Sequence, residues 1–214
     1  MKKLIFELKD DLFNLAFPEE MLKERRELLL VLVEACKYMM YNDQVANANH
    51  KFMLVVGDMN RLFFCTERKM YSFMFPFHID EYPSVRYDYD NIPIDSKMLS
   101  DINQILESDE FLTENALDFI TPIEQIQETE HKDFWRVMKH LLTYEIGYVR
   151  YDDDLEGFRK ASDEGTPRLH PRYHYDVNLD SQATFKLGLS RQLTPDKFID
   201  FLDNKKNRPM AREQ

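Results

Sequence analysis

Glycine is scarce in this chain. Its 214 residues include five: Gly57, Gly147, Gly157, Gly165 and Gly188. Loops that cradle phosphates need glycine where backbone must approach the ligand, and none of G-x-x-x-x-G-K-[ST], G-x-G-x-x-G or G-x-S-x-G occurs. That argues against a P-loop nucleotide hydrolase, an ordinary dinucleotide-binding domain and an α/β-hydrolase. Cysteine is scarcer still. Cys36 and Cys65 stand 29 positions apart and form no CxxC pair, which fits neither a disulfide scaffold nor a zinc finger. Buried free thiols in a reducing compartment are the expectation. Long apolar runs are missing too. "LLLVLV" at 28–33 is the longest, far short of the roughly 20 residues that span a bilayer. "MKKLIFELKDDLF" opens like a secretory leader, but Glu7 and Lys9 interrupt it. The sequence therefore predicts a cytoplasmic protein with no membrane partner.

Positive charge is in deficit: 28 Lys and Arg face 39 Asp and Glu, a net −11. The deficit is uneven. From Arg150 onward 12 cations meet 12 anions, so the first 149 residues, with 16 and 27, carry all of it. An acidic N-terminal two-thirds repels a nucleic-acid backbone. RNA or another phosphodiester would have to approach the C-terminal third. The basic ending "KKNRPMAREQ" reads as a solvated, frayed tail.

What is present describes a globular protein: 43% hydrophobic and 31% charged residues are enough apolar material for a core. Residues 1–41 read as a helical N-terminal part. Leu4, Ile5, Leu8, Leu12 and Leu15 have helical spacing, and a second helix begins at Pro18 with a stripe of Leu22, Leu29, Val33, Cys36 and Met40. That stripe is core, or else the seam of a homodimer or a docking face for a protein partner. Residues 50–80 then change period. "KFMLVVG", "RLFFCTE" and "MYSFMFPFHI" form an antiparallel meander. Residues 95–146 return to helix: one around 98–106 capped by Asp95 or Ser96, a short one from Thr113 to Ile120, one starting at "TPIE" and one over about 131–145. Residues 147–204 hold the strands "GYVRYD", "RYHYDVN" and "TFKLGL" and the closing helix "TPDKFIDFL". No linker separates these parts. The expectation is a single α+β domain over 1–214, with a mixed or mainly antiparallel sheet, helices packed on one face and a helical N-terminus.

The chemistry-bearing stretch is "RLHPRYHYDVNLD" at 168–180. On a strand, alternate residues face opposite ways. The even positions are His170, Arg172, His174, Asp176 and Asn178, and the odd ones are Pro171, Tyr173, Tyr175, Val177 and Leu179. One face is polar and the other apolar. Arg150, Asp152 and Asp154 oppose Val149 and Tyr151 in the same way, and Lys186 opposes Phe185, Leu187 and Leu189. "HID" at 78–80 repeats the layout of "HYD" at 174–176. If both strands join one sheet, two His/Asp pairs converge near Arg150, Asp152 and Lys186.

Two chemistries suit that set. Imidazoles with carboxylates bind a divalent metal ion that acidifies water, so His174, Asp176 and Asp80 are candidate ligands. On an extended strand His170 and His174 lie roughly 13 Å apart, too far to share an ion unless Pro171 bends the chain. The second chemistry is metal-free cleavage of RNA. His174 and His78 would exchange protons, assisted by Asp176, while Lys186 stabilises the charge on phosphorus and Arg172, Arg150 and His170 hold the phosphate. Against both stands the plainest reading, the wet face of a half-exposed antiparallel strand. The function that the sequence favours is phosphodiester hydrolysis, of RNA above all. Its rival is a non-catalytic component that binds a protein partner through its helical N-terminus and acidic surface.

Overall fold

The structure, a computed structural model, describes residues 2–19, 22, 24–79, 82–87, 92–112, 120–129, 132–178 and 184–207. Its class is α+β, as expected. The chain forms two compact units, each assembled from separate stretches. One comprises 1–8, 44–74 and 147–214, and the other 9–43 and 75–146.

The first unit is built on a seven-stranded sheet, antiparallel throughout. Its strands are β1 (Lys2–Glu7), β2 (Lys51–Val56), β3 (Arg61–Cys65), β4 (Lys69–Met74), β7 (Val149–Asp153), β8 (Tyr173–Asn178) and β9 (Thr184–Leu189), in that spatial order. The meander and the C-terminal strands do share one sheet, joined where β4 pairs with β7. The first six residues correct the sequence reading. Leu4 and Ile5 belong to β1, because Leu4 and Phe6 alternate with half-exposed neighbours and are fully buried. A period of two won over one of 3.6, and tertiary pairing with β2 decided it.

One face of this sheet is packed by α7 (Pro195–Leu202), which Thr194 caps by accepting from the Lys197 N–H. Phe198 meets Phe63 edge-on at 5.8 Å and stacks on Tyr175 at 6.0 Å. Met53, Val55, Met70, Tyr151 and Ile199 complete this buried layer. The other face carries a single cross-strand row through all seven strands: Phe6, Phe52, Phe64, Tyr71, Arg150, Asp176 and Lys186. Its first four rings stack at 4.9–5.6 Å. At β7 the row turns from aromatic to ionic. A further helix, α6 (Leu155–Asp163), follows β7 directly.

The second unit contains α1 (Asp10–Ala16), α2 (Arg25–Tyr41), α3 (Ser96–Glu107), α4 (Ile120–Thr129), α5 (Phe134–Thr143) and a small ribbon of β5 (Val85–Tyr87) with β6 (Ile92–Ile94). Two helices near the N-terminus were expected, but the second starts at Arg25 rather than Pro18. A capping box between Glu24 and Glu27 sets its start. Leu28 to Val33, Ala35, Cys36 and Met39 are all buried, so the apolar side of α2 is already covered within the single chain. Asp95 caps α3 as read, accepting from the Met98 N–H at 2.8 Å. α4 already includes Thr121 and Pro122, so its start precedes "TPIE". The short helix read from Thr113, the candidate ligand Asp80 and most of the basic tail fall outside the described residues. Among the described residues, no helix is long and apolar enough to cross a membrane.

Candidate functional site

The polar half of the cross-strand row, with its neighbours two positions along, makes a group of five ionisable side chains. β7 supplies Arg150 and Asp152, β8 supplies His174 and Asp176, and β9 supplies Lys186. Register brings them together: Arg150 pairs with Asp176, Asp152 with His174, and Asp176 with Lys186. Directly opposed residues in an antiparallel pair have their side chains about 4.5–5.5 Å apart, so these contacts follow from alternation.

The expected wet strand face is corrected here. His174 is 0% exposed, Asp152 4% and Asp176 6%. The cluster meets solvent through Lys186 and, less, through Arg150, whose side chains are 29% and 17% exposed. Buried charges must be paired, and these are. Arg150 Nη2 donates to Asp176 Oδ2 at 2.9 Å and also to Asp152 Oδ2. Lys186 Nζ donates to Asp176 Oδ1 and to His174 Nε2, both at 2.8 Å. Asp152 Oδ1 and Arg150 Nε are buried with no hydrogen-bond partner among the described residues.

His174 has a fixed tautomer. Its Nδ1 lies 2.7 Å from the Pro171 carbonyl oxygen, which can only accept, so Nδ1 carries the proton. Nε2 therefore presents a lone pair, and that lone pair faces the Lys186 ammonium. Burial pushes the Asp152 carboxyl up, against the pull of Arg150. Burial acts on Asp176 in the same sense, but the Lys186 hydrogen bond and the charges of Arg150 and Lys186 outweigh it and hold that carboxyl well below the ordinary range.

The remaining sequence candidates lie elsewhere. His170 and His174 are not 13 Å apart. The chain is irregular before Tyr173, and the two rings meet edge-on with centroids 5.1 Å apart. Pro171 does bend the chain, yet each ring is turned to its own partner. His170 Nε2 lies 2.8 Å from Asp154 Oδ2, while Asp154 Oδ1 accepts from the Gly157 N–H and caps α6. Arg172 also escapes the strand parity. It precedes β8, bonds Asp153 Oδ1 at 2.8 Å and lies over the Tyr173 ring, so it is no clamp for the cluster. His78 belongs to the helical unit, where it is exposed and its backbone bridges Arg86. Phe77 to Ile79 lie beyond β4, which ends at Met74, so His78 is not on a strand of the sheet. His78 and His174 therefore do not share a sheet. In place of Asp80, the residue that joins His174 and Asp176 is Asp152, and the three offer ligand atoms within 4.8 Å of one another. The alternation in "VRYDDD" already put Asp152 on the right face. No sequence signal pointed to the Pro171 carbonyl.

Both cysteines are buried and free, and burial pushes both thiols up, that of Cys65 to about 12, which disfavours the thiolate. Comparison of the chain with protein families, with curated proteins and with solved structures gives no match in any of the three.

Proposed function

We propose that the sheet unit cleaves phosphodiesters, RNA being the substrate that suits its groups. The observation that carries this reading is His174: a neutral imidazole whose tautomer is held by a carbonyl and whose Nε2 lone pair faces a lysine ammonium. Transfer of phosphorus between hydroxyls uses a base for the attacking hydroxyl and an acid for the leaving oxygen, and one site here supplies both. His174 Nε2 takes the proton of the 2′-hydroxyl as that oxygen bonds to phosphorus. The bond from phosphorus to the 5′-oxygen breaks, and Lys186 Nζ protonates the departing oxygen. The 2.8 Å contact between the two then returns the proton from His174 to Lys186. Arg150 is the fixed charge beside the developing phosphorane. Lys186 covers His174, so substrate reaches Nε2 as the lysine side chain swings outward.

Charge supports the same reading. The sheet unit holds 18 Lys and Arg against 15 Asp and Glu, and the helical unit 10 against 24. The whole acidity of the protein lies in the helical unit, and the unit with the cluster is mildly cationic.

The test is cleavage of a short RNA and the matching DNA by the full chain in a chelator. RNA is cut to a 2′,3′-cyclic phosphate and DNA is not. His174→Ala lowers the rate by about 10²–10⁴-fold. An unchanged rate in His174→Ala, or equal cleavage of DNA, overturns the assignment.

A further inference from the structure

We propose that Asp152, His174 and Asp176 form a site for a divalent transition-metal ion, and that Lys186 is the built-in cation which the ion displaces. The inference concerns the centre just assigned and rests on that reading for one consequence only, the silencing of cleavage when the ion is bound.

Four observations converge. The first is the imidazole. A His whose Nδ1–H is held by a backbone carbonyl and whose Nε2 is left as an acceptor has the orientation of a metal ligand. The second is spacing. His174 Nε2 stands 3.6 Å from Asp176 Oδ1 and 3.8 Å from Asp152 Oδ2. Ligand atoms around a tetrahedral ion with bonds of about 2.0–2.2 Å stand roughly 3.4 Å apart, so small side-chain rotations close the set. The third is the present occupant. Lys186 Nζ lies 2.8 Å from two of the three ligand atoms, which marks the place where positive charge is most stabilised. The fourth is Asp152 Oδ1, a buried carboxylate oxygen with no donor among the described residues, which a cation would satisfy. Arg150 bonds Asp176 Oδ2 and so leaves Oδ1 to the ion, while at Asp152 it bonds Oδ2, the oxygen nearer His174.

One nitrogen and two carboxylates suit Mn²⁺, Fe²⁺ or Zn²⁺ better than Ca²⁺, which prefers six or more oxygens. With Lys186 in place, two carboxylates meet two cations and the cluster is neutral. Exchange of the lysine for a divalent ion leaves one positive charge in excess, which an anion such as phosphate can neutralise. The ion and the proton use the same lone pair of Nε2. A loaded site therefore cannot take the proton from a 2′-hydroxyl.

Binding is measured on the chelator-stripped full chain by titration with Mn²⁺, free ion being followed by electron paramagnetic resonance. The wild type binds one ion. Lys186→Met binds it more tightly, by about tenfold if the lysine fills the site nine-tenths of the time. Asp152→Asn and His174→Ala bind it about 10–100-fold more weakly. Because a variant in a buried cluster can fail to fold, nitrogen-15 NMR of the wild type supplies a second reading: added Zn²⁺ shifts the His174 Nε2 resonance and leaves Nδ1 protonated. Weaker binding in folded Lys186→Met, undiminished binding in His174→Ala, or an unmoved Nε2 resonance overturns the proposal. RNA cleavage is followed in the same samples. Binding as described with no cleavage in any sample removes the proposed function and leaves the metal site standing. Cleavage in chelator with no ion bound by any sample removes the metal site and leaves the function.

Discussion

Asp152 and Asp176 have the same side chain and sit in one cluster, yet their surroundings push them apart. Burial dominates at Asp152 and raises it, whereas at Asp176 the Lys186 hydrogen bond and the charges of Arg150 and Lys186 exceed the burial cost and lower it. The signs for stability are opposite. Asp176 contributes stability above the unfolded carboxyl value of about 3.9, and the contribution is lost as pH falls through its folded value. Asp152 contributes below about 3.9, and its contribution is lost as pH rises through its raised folded value. Carbon-13 NMR of the carboxyls in metal-free buffer is expected to show two coupled transitions flanking 3.9, the higher reporting mainly Asp152. Two transitions on the same side of that value would contradict the electrostatics described for the cluster. Much of this centre was legible beforehand, because strand alternation put Arg150, Asp152, His174, Asp176 and Lys186 on one face. Its dryness was not legible, since a polar face reads the same whether solvent or protein covers it. Arg172 and His170 misled because parity holds only while the chain stays extended, and β8 starts at Tyr173.

The helix α6 shows how one element serves another. Asp154 caps its first turn through the Gly157 N–H and holds His170 with the other oxygen. Ordinarily Gly→Ala inside a helix is stabilising by about 1 kcal/mol. At Gly157 the added Cβ would run into His170 Nε2 and lie 2.5 Å from Asp154 Oδ2. The methyl must part that pair and disturb the cap, whose loss costs about 1 kcal/mol. Gly157→Ala is expected to lower the thermal midpoint, and a raised midpoint would show that the contact between His170 and Asp154 adds nothing. The sequence reading missed α6, whose nine residues are mostly polar and have a single buried side chain, Ala161. It found α3 and α7, where an Asx or Thr cap precedes a clear apolar stripe. It mistook β1 for helix because Leu4 and Leu8 satisfy both periods, and the pairing with β2 separates them.

At the scale of the molecule, both units are discontinuous in sequence: the chain passes from one to the other after residues 8, 43, 74 and 146. The last stretch, 147–214, carries every residue of the cluster but only three of the seven strands. Tyr151, Tyr175 and Phe198 then lack Met53, Val55, Phe63 and Met70, with which they form one buried layer. A fragment of 147–214 is expected to show no cooperative unfolding by circular dichroism, and a sharp transition would mean that β7–β9 with α7 are self-sufficient. The charge shift near residue 150 falls close to the last crossing, but no linker marks any of the four, which is why the sequence reads as a single run of parts. The interleaving also sets a schedule for synthesis. β4 emerges from the ribosome long before its neighbour β7, since Met74 and Val149 are 75 positions apart. At about 5–20 residues per second, the open side of β4 waits roughly 4–15 s for its partner. Throughout that interval a strand with four consecutive buried residues offers unpaired backbone to any passing strand. The nascent protein is thus most prone to mispair between its first third and its last, and a chaperone that shields β4 would act within those seconds.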